Sequence, residues 1–173
     1  WYRKAADEGH SLAQNNLGRL YRDGRGVSKN HEVAIQWFST SAKQGNDHAR
    51  NNLGWMYERG LGTTQDFHEA AKWYKFAAEP KRDLLTDKSM PGLALAQNNF
   101  GCMLRDGRGV ERDYSMAVRW FRKAADQGEL GSYWKLGAYY AQGRGVPQDM
   151  DEALRLYKKA AAVPVKSIVA ISG

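Results

Sequence analysis

The chain has 173 residues, of which 42% are hydrophobic and 26% are charged, and its formal net charge is +7. This balance is typical of a folded protein and excludes a disordered one, and no apolar run approaches the roughly 18 residues that a membrane span needs. The single cysteine, Cys102, excludes a disulfide framework and a zinc site of several thiolates. It leaves a cytoplasmic, bacterial periplasmic or secreted location open.

Glycine is over-represented, with 18 residues in a chain rich in helix formers, and an internal repeat explains the excess. Pairs of aromatic or apolar residues recur at steps of 36, 36, 47 and 36 residues, the third step being one period plus an insertion. The pairs are Trp1-Tyr2, Trp37-Phe38, Trp73-Tyr74, Trp120-Phe121 and Leu156-Tyr157. Twelve of the glycines follow the same register. A period of this length indicates an array of stacked units.

The period divides the chain into a half-unit, four full units, an insertion and a tail. In chain order we predict the second helix of a truncated repeat (1–9), repeat one (10–45), repeat two (46–79), an inserted loop (80–93), repeat three (94–128), repeat four (129–162) and a C-terminal tail or cap (163–173). Leu84 and Leu85 of the insertion can fold back onto a hairpin. A loop of this length is either functional or merely tolerated, and both alternatives stay open.

Each unit has the apolar spacing of two amphipathic helices. In repeat one we predict helices at about 11–23 and 30–43, separated by a glycine-containing turn that ends the first helix. One repeat position carries residues suited to a helix N-cap, namely Asn30, Asp66, Asp113 and Asp149. Two of these caps also have capping-box spacing to a following glutamate, in the pairs Asp66/Glu69 and Asp149/Glu152.

One glycine inside each first helix is expected to have a packing role, because it costs about 1 kcal/mol relative to alanine. These glycines are Gly18, Gly54, Gly101 and Gly137. We expect each to lie against a small residue of the partner helix, namely Ala34, Ala70, Ala117 or Ala153. The aromatic pairs are then expected to form the core between neighbouring hairpins.

The pattern Ala-x-x-x-Leu-Gly-x-x-Tyr-x-x-Gly-x-Gly-Val, followed by Ala-x-x-Trp-Phe, resembles the Sel-1-like repeats, relatives of the tetratricopeptide repeats. Repeat one matches it from Ala13 through Phe38. Three positions depart from it: Leu61 lies inside one Gly-x-Gly turn, Leu104 replaces a tyrosine and Leu156 replaces a tryptophan. The resemblance implies an all-α, right-handed solenoid (superhelix) of antiparallel helical hairpins that acts as a scaffold or adaptor.

A solenoid of this type has a concave face lined by the first helix of each hairpin, and we predict that a protein or peptide partner binds there. The expected contact residues are Asn15, Asn16, Arg19, Arg22, Asn51, Asn52, Trp55, Arg59, Asn98, Asn99, Arg105 and Trp134. Amides can hydrogen-bond an extended peptide, arginine can contact carboxylates, and tryptophan can anchor apolar side chains. Alternatively, the asparagines are solvated or bond neighbouring hairpins to each other.

The residue patterns indicate no catalysis, no metal site and no cofactor. The four histidines lie in different units, and the turn Gly24-Arg25-Gly26 lacks the Lys-Ser/Thr of a nucleotide-binding loop. The positive charge indicates, as an alternative, a scaffold that contacts nucleic acid or another acidic surface. The basic residues are dispersed along the chain, however, and this favours a protein partner. The family resemblance also implies a more distant alternative, an enzyme that binds or hydrolyses β-lactams. Those relatives carry a cysteine pair in each repeat, which this chain lacks.

Both ends are expected to be incomplete. Residues 1–7 have the pattern of a second helix without its partner, and the tail 163–173 is more apolar than the polar outer face of a terminal repeat. We therefore expect a fragment of a longer array, which can associate end to end with another copy, or a tail that covers the last hairpin.

Overall fold

The computed structural model describes residues 2–82 and 89–162, which form nine helices and one pair of short strands. The elements are α1 (Tyr2–Asp7), α2 (Ser11–Asp23), α3 (His31–Lys43), α4 (Asp47–Arg59), α5 (Phe67–Ala78), β1 (Lys81–Arg82), β2 (Ser89–Met90), α6 (Ala94–Asp106), α7 (Tyr114–Asp126), α8 (Leu130–Gln142) and α9 (Met150–Ala161). The expectations for Leu84, Leu85 and the tail 163–173 lie outside the described residues.

The helices pack mainly against their neighbours in sequence, in the hairpins α2/α3, α4/α5, α6/α7 and α8/α9. Each hairpin also packs against the next through its second helix, and α1 packs against α2. The predicted all-α solenoid of helical hairpins is confirmed, with an antiparallel strand pair of two residues each added inside the insertion. No helix in the described part of the chain combines the length and the apolar character that crossing a bilayer requires.

The aromatic pairs contribute to the core, as expected. The second residue of a pair is fully buried at Phe38 and Phe121 and nearly so at Tyr74. These rings pack with alanines of the same second helices and with apolar residues of the facing first helices.

The predicted N-caps are confirmed, because each cap side chain accepts a hydrogen bond from a backbone N–H in the first turn of its helix. The capping-box spacing of Asp66/Glu69 and Asp149/Glu152 does not lead to the reciprocal hydrogen bond, in which the glutamate would accept from the backbone N–H of the cap. The backbone N–H of each cap donates instead to a carbonyl in the last turn of the preceding helix, at Tyr21, Tyr57, Leu104 or Tyr140. The glutamates Glu69 and Glu152 form ion pairs with Lys72 and Arg155 of their own helices.

The turn glycines have two separate roles. The first of each pair ends a first helix in the left-handed conformation, with φ of +71° at Gly24 and +67° at Gly107. The second lies against the preceding hairpin in the later repeats, and an added Cβ on Gly109 would lie 2.0 Å from the carbonyl oxygen of Phe67. These turns therefore join adjacent repeats as well as the two helices of one hairpin.

The nearest neighbour of each mid-helix glycine is an aromatic ring and not the expected alanine, although Ala70 is also close at Gly54, where its carbonyl oxygen would lie 3.2 Å from an added Cβ. An added Cβ on Gly101 would lie 2.7 Å from the ring of Phe121, and one on Gly18 would lie 2.7 Å from the ring of Phe38. The other two glycines lie against Tyr74 and Tyr157 in the same way. The glycine therefore makes room for the second aromatic residue of its own hairpin, which is bulkier than the predicted alanine.

Candidate partner-binding surface

Each junction between consecutive first helices contains the same side-chain hydrogen bond. The residue two positions before the helix glycine donates to the residue three positions before the glycine of the preceding repeat. The three bonds are Asn52 Nδ2 to Asn15 Oδ1 at 2.9 Å, Asn99 Nδ2 to Asn51 Oδ1 at 3.0 Å, and Lys135 Nζ to Asn98 Oδ1 at 2.8 Å. We name this set the inter-repeat ladder.

The ladder places the two asparagines of each pair in different environments. Asn15, Asn51 and Asn98 are buried, with exposures of 4%, 6% and 8%, and their side-chain oxygens accept the ladder bonds. A buried amide oxygen without its partner is costly. The alternative in which asparagines bond neighbouring hairpins therefore describes these three residues, and a partner has access mainly to the half-buried member of each pair.

Replacing Asn51 by alanine is expected to lower the free energy of unfolding by about 1–2 kcal/mol, because it removes a ladder bond and leaves the amide of Asn99 without its acceptor. Asn16→Ala is the matched control, since Asn16 is half-buried and bonds no other side chain among the described residues. It is expected to change stability by less than about 0.5 kcal/mol. Urea unfolding measures both values, and equal effects would contradict a structural role for the ladder.

Beside the ladder, the helices α2, α4 and α6 enclose a groove of about 390 Å³. Its lining residues are Leu12, Asn15, Asn16, Arg19, Arg22, His48, Asn51, Asn52 and Leu95. Six of the predicted contact residues are thus brought together on the consecutive first helices α2 and α4. We name this the first-helix groove.

Arg22 and Trp55 are held in place by their neighbours. Arg22 donates to both carboxylate oxygens of Asp23, at 2.7 and 3.0 Å, and to Asn52 Oδ1 at 3.2 Å. Two guanidinium groups lie over the ring of Trp55, with Arg22 Cζ 5.4 Å and Arg59 Cζ 5.2 Å from its centroid. These contacts occupy part of the binding capacity of the three predicted contact residues.

Arg19 is the arginine of the groove whose guanidinium is free to bind a partner. Its side chain is exposed, and among residues 2–82 and 89–162 it forms neither a hydrogen bond nor an ion pair. Leu12 and Leu95 are 62% and 47% exposed in the same groove. The groove therefore offers a free guanidinium next to apolar surface.

The remaining predicted residues lie further along the array, outside the lining of the first-helix groove. Arg105 donates to both oxygens of Asp106, at 2.6 and 2.8 Å, and this hydrogen bonding holds the pKa of that carboxyl below its ordinary value. Trp134 of α8 is 55% exposed and lies against Tyr157, with ring centroids 5.0 Å apart.

Cys102 lies on α6 close to this surface and is half-buried. Burial raises the pKa of its thiol above the ordinary value, and the charges of Lys135 and Arg105 offset that effect only in part. The thiol is therefore protonated at neutral pH, which is the unreactive form. Within the described ranges, no three His, Cys, Asp or Glu side chains are grouped to hold a metal ion.

Sequence reasoning missed three groove residues, Leu12, His48 and Leu95. They occupy one repeat position, six residues before the helix glycine. An alignment of the units shows a leucine at this position in two of the four repeats, beside polar positions that face solvent, and this is the signal that could have found them.

A helix-lined groove on stacked hairpins defines a repeat scaffold of the α-solenoid class. A family model described as Sel1 repeat matches residues 1–10, 11–46, 47–79, 94–129 and 131–162. The chain belongs to the Sel1 repeat family. Proteins of this family are generally non-catalytic scaffolds for protein interactions.

Solved structures with the same fold include a protective antigen of uropathogenic Escherichia coli strains, 35% identical with a TM-score of 0.83, which covers 93% of this chain and 32% of its own. A Sel1 repeat protein of Oxalobacter formigenes is 37% identical with a TM-score of 0.77, over 88% of this chain and 57% of its own. Cysteine rich protein B of Helicobacter pylori is 22% identical with a TM-score of 0.55, over 76% and 91%, and shares the fold alone. No curated protein sequence matches the chain.

Proposed function

We propose that this chain is a non-catalytic scaffold or adaptor that binds a protein or peptide partner at the first-helix groove. The observation that carries the proposal is that the exposed leucines of α2 and α6 and an unpaired arginine of α2 line one groove. Arginine is enriched at protein interfaces, and exposed leucines beside it add apolar area whose burial by a partner is favourable. A flat and evenly solvated helix surface would not bring these groups together.

The chemistry of the groove favours a partner segment with an acidic group flanked by aliphatic side chains. Arg19 can bind a carboxylate through two parallel hydrogen bonds, while Leu12 and Leu95 can cover the apolar neighbours. Asn16 can donate to and accept from the backbone of an extended peptide. The net charge of +7 assists the approach of an acidic partner.

The proposed surface continues from the groove along α6 and α8 through Asn99, Arg105 and Trp134. An exposed tryptophan is a common anchor at interfaces, so a longer partner segment would contact more than one repeat. Many cations are paired locally, as in Arg22–Asp23, Arg105–Asp106 and Arg155–Glu152. Such paired cations contribute less to phosphate binding than free ones, which supports a protein partner over nucleic acid.

Replacing Arg19 by glutamate is expected to weaken partner binding by about tenfold or more, because it removes a charge-assisted contact and places like charges together. The partner is first captured from the native source on the immobilised chain and identified. Its purified form is then titrated calorimetrically against the wild type, Arg19→Glu and the control Arg119→Glu. Arg119 is an exposed arginine of α7, outside the groove lining.

Loss of affinity in Arg19→Glu with wild-type affinity in Arg119→Glu supports the proposed site. Equal affinity of Arg19→Glu and the wild type, or loss confined to Arg119→Glu, contradicts it. Capture of DNA or RNA instead of a protein would replace the proposal with the nucleic-acid alternative.

A further inference from the structure

A second cavity, of about 680 Å³, lies between the second helices α5 and α7 beside the last turn of α6. The residues of its lining that matter here are Lys75, Phe100, Leu104, Met116 and Trp120. Three of them are at most 9% exposed, namely Phe100, Leu104 and Trp120. The rings of Phe100 and Trp120 meet edge-on, with centroids 5.5 Å apart. We name this cavity the Leu104 pocket.

At the next junction of the array, the corresponding positions carry Arg122, Tyr140 and Glu152. Arg122 donates to the hydroxyl of Tyr140, lies 5.4 Å from its ring centroid, and lies 3.8 Å from the carboxylate of Glu152. Arg122 thus contacts both of the other side chains at the positions that correspond to the pocket.

The first junction repeats part of this arrangement. Arg3 donates to the hydroxyl of Tyr21, and its guanidinium carbon lies 5.8 Å from the ring centroid. A tyrosine ring under a cationic side chain is therefore the way in which this array closes the site at two junctions, one on each side of the pocket along the chain.

The Leu104 pocket lacks these partners, because Leu104 replaces the tyrosine and Met116 replaces the glutamate. The cationic position is kept by Lys75, which is about half exposed. Among the described residues, Lys75 pairs only with Glu79 of its own helix, at 3.8 Å, and an exposed pair of this kind contributes little. The site thus keeps a hydrogen-bond donor and walls that include Tyr114, while it lacks a tyrosine at position 104.

We propose that the Leu104 pocket binds a tyrosine side chain of a partner protein. The ring lies against Leu104 and Trp120, and its hydroxyl oxygen accepts a hydrogen bond from Lys75 Nζ, as Tyr140 accepts one from Arg122. The volume lies within the range of sites that bind small ligands and also accommodates flanking peptide backbone.

The charges at the rim match a neutral phenol better than an acid. Arg112, Glu111 and Asp113 line the pocket together with Lys75, so two positive and two negative groups are present. A carboxylate in the pocket would meet repulsion as well as attraction, whereas a phenol avoids both and still accepts the hydrogen bond. The site shares no lining residue with the first-helix groove, so the two proposals stand independently.

The test uses the peptide acetyl-Ala-Tyr-Ala-amide and its phenylalanine and alanine counterparts. The readout is the shift of the Trp120 indole N–H in proton–nitrogen correlation spectra. The tyrosine peptide is expected to produce a saturable shift, the phenylalanine peptide to bind several-fold more weakly, and the alanine peptide to have no effect. Leu104→Tyr is expected to weaken tyrosine-peptide binding by about tenfold or more, because the chain's own ring then occupies the pocket.

Leu104→Tyr is expected to fold, since Tyr21, Tyr57 and Tyr140 occupy this position in the other repeats. Leu154→Tyr is the matched control, with the same substitution on an exposed leucine of α9 that lines neither the pocket nor the first-helix groove, and it is expected to keep wild-type binding. Lys75→Met is expected to lower the affinity for the tyrosine peptide to that for the phenylalanine peptide. Absence of a saturable shift in the wild type, or equal binding by Leu104→Tyr, overturns the proposal.

Discussion

Replacing Gly109 by alanine is expected to lower the free energy of unfolding by about 3 kcal/mol or more, whereas the same change at Gly26 costs only about 1–2 kcal/mol. Both glycines have a left-handed backbone, with φ of +66° and +71°, so the conformational cost is the same at the two positions. They differ in the space around them. A Cβ on Gly109 would lie 2.0 Å from the carbonyl oxygen of Phe67, while one on Gly26 would meet no atom within 4 Å.

The difference between the two variants isolates the contact between repeats. Backbone cannot rotate aside as a side chain can, so relief of the clash at Gly109 requires the hairpins α4/α5 and α6/α7 to move apart. Urea unfolding followed by helical circular dichroism measures both stabilities. Equal losses at the two positions would show that the turn glycine is needed for its conformation alone and not for stacking.

Replacing Gly101 by alanine is expected to destabilise the protein by about 2 kcal/mol, although alanine is the better helix former by about 1 kcal/mol. The added Cβ would lie 2.7 Å from the ring of Phe121, which is fully buried. The overpacking cost therefore exceeds the gain in helix propensity.

Gly131→Ala is the control for this prediction, because Gly131 also lies in a helix, but the atoms nearest an added Cβ are the polar side-chain ends of Glu129 and Lys135, at 3.2 and 3.4 Å, and not a buried ring. It is expected to leave stability unchanged or raise it by up to about 1 kcal/mol. Thermal and urea unfolding measure the change in the free energy of unfolding of both variants. A stabilised Gly101→Ala protein would mean that the ring of Phe121 repacks without cost.

The fold could be predicted from the sequence because the spacing of glycines and aromatic pairs repeats in register. The bounds of α2 agree with the expected helix at 11–23, and Asn30 caps α3 as its residue type predicts. Local rules of this kind depend on neighbours within one helix. The reciprocal bond of the capping box does not form because a different helix competes for it: the backbone N–H of Asp66 donates to the carbonyl of Tyr57 on α4.

The partner of the mid-helix glycines could not be predicted in the same way. Ala34 and Phe38 are four residues apart and share one helix face, so spacing cannot decide which of them faces Gly18. The two asparagines of each pair pose a related problem. Their burial depends on how one first helix lies against the next, and the repeat pattern carries no direct information on that angle.

The nearest-neighbour contacts of this fold have a mechanical consequence. Because the strongest packing joins consecutive helices, tension applied along the array is carried from one hairpin to the next in series. A hairpin can detach while the folded repeats beyond it remain intact. Each detachment releases one 36-residue unit, which corresponds to about 120 Å of extended chain. A partner held on one repeat would thus be connected to a partner on another through an extensible spacer with discrete lengths.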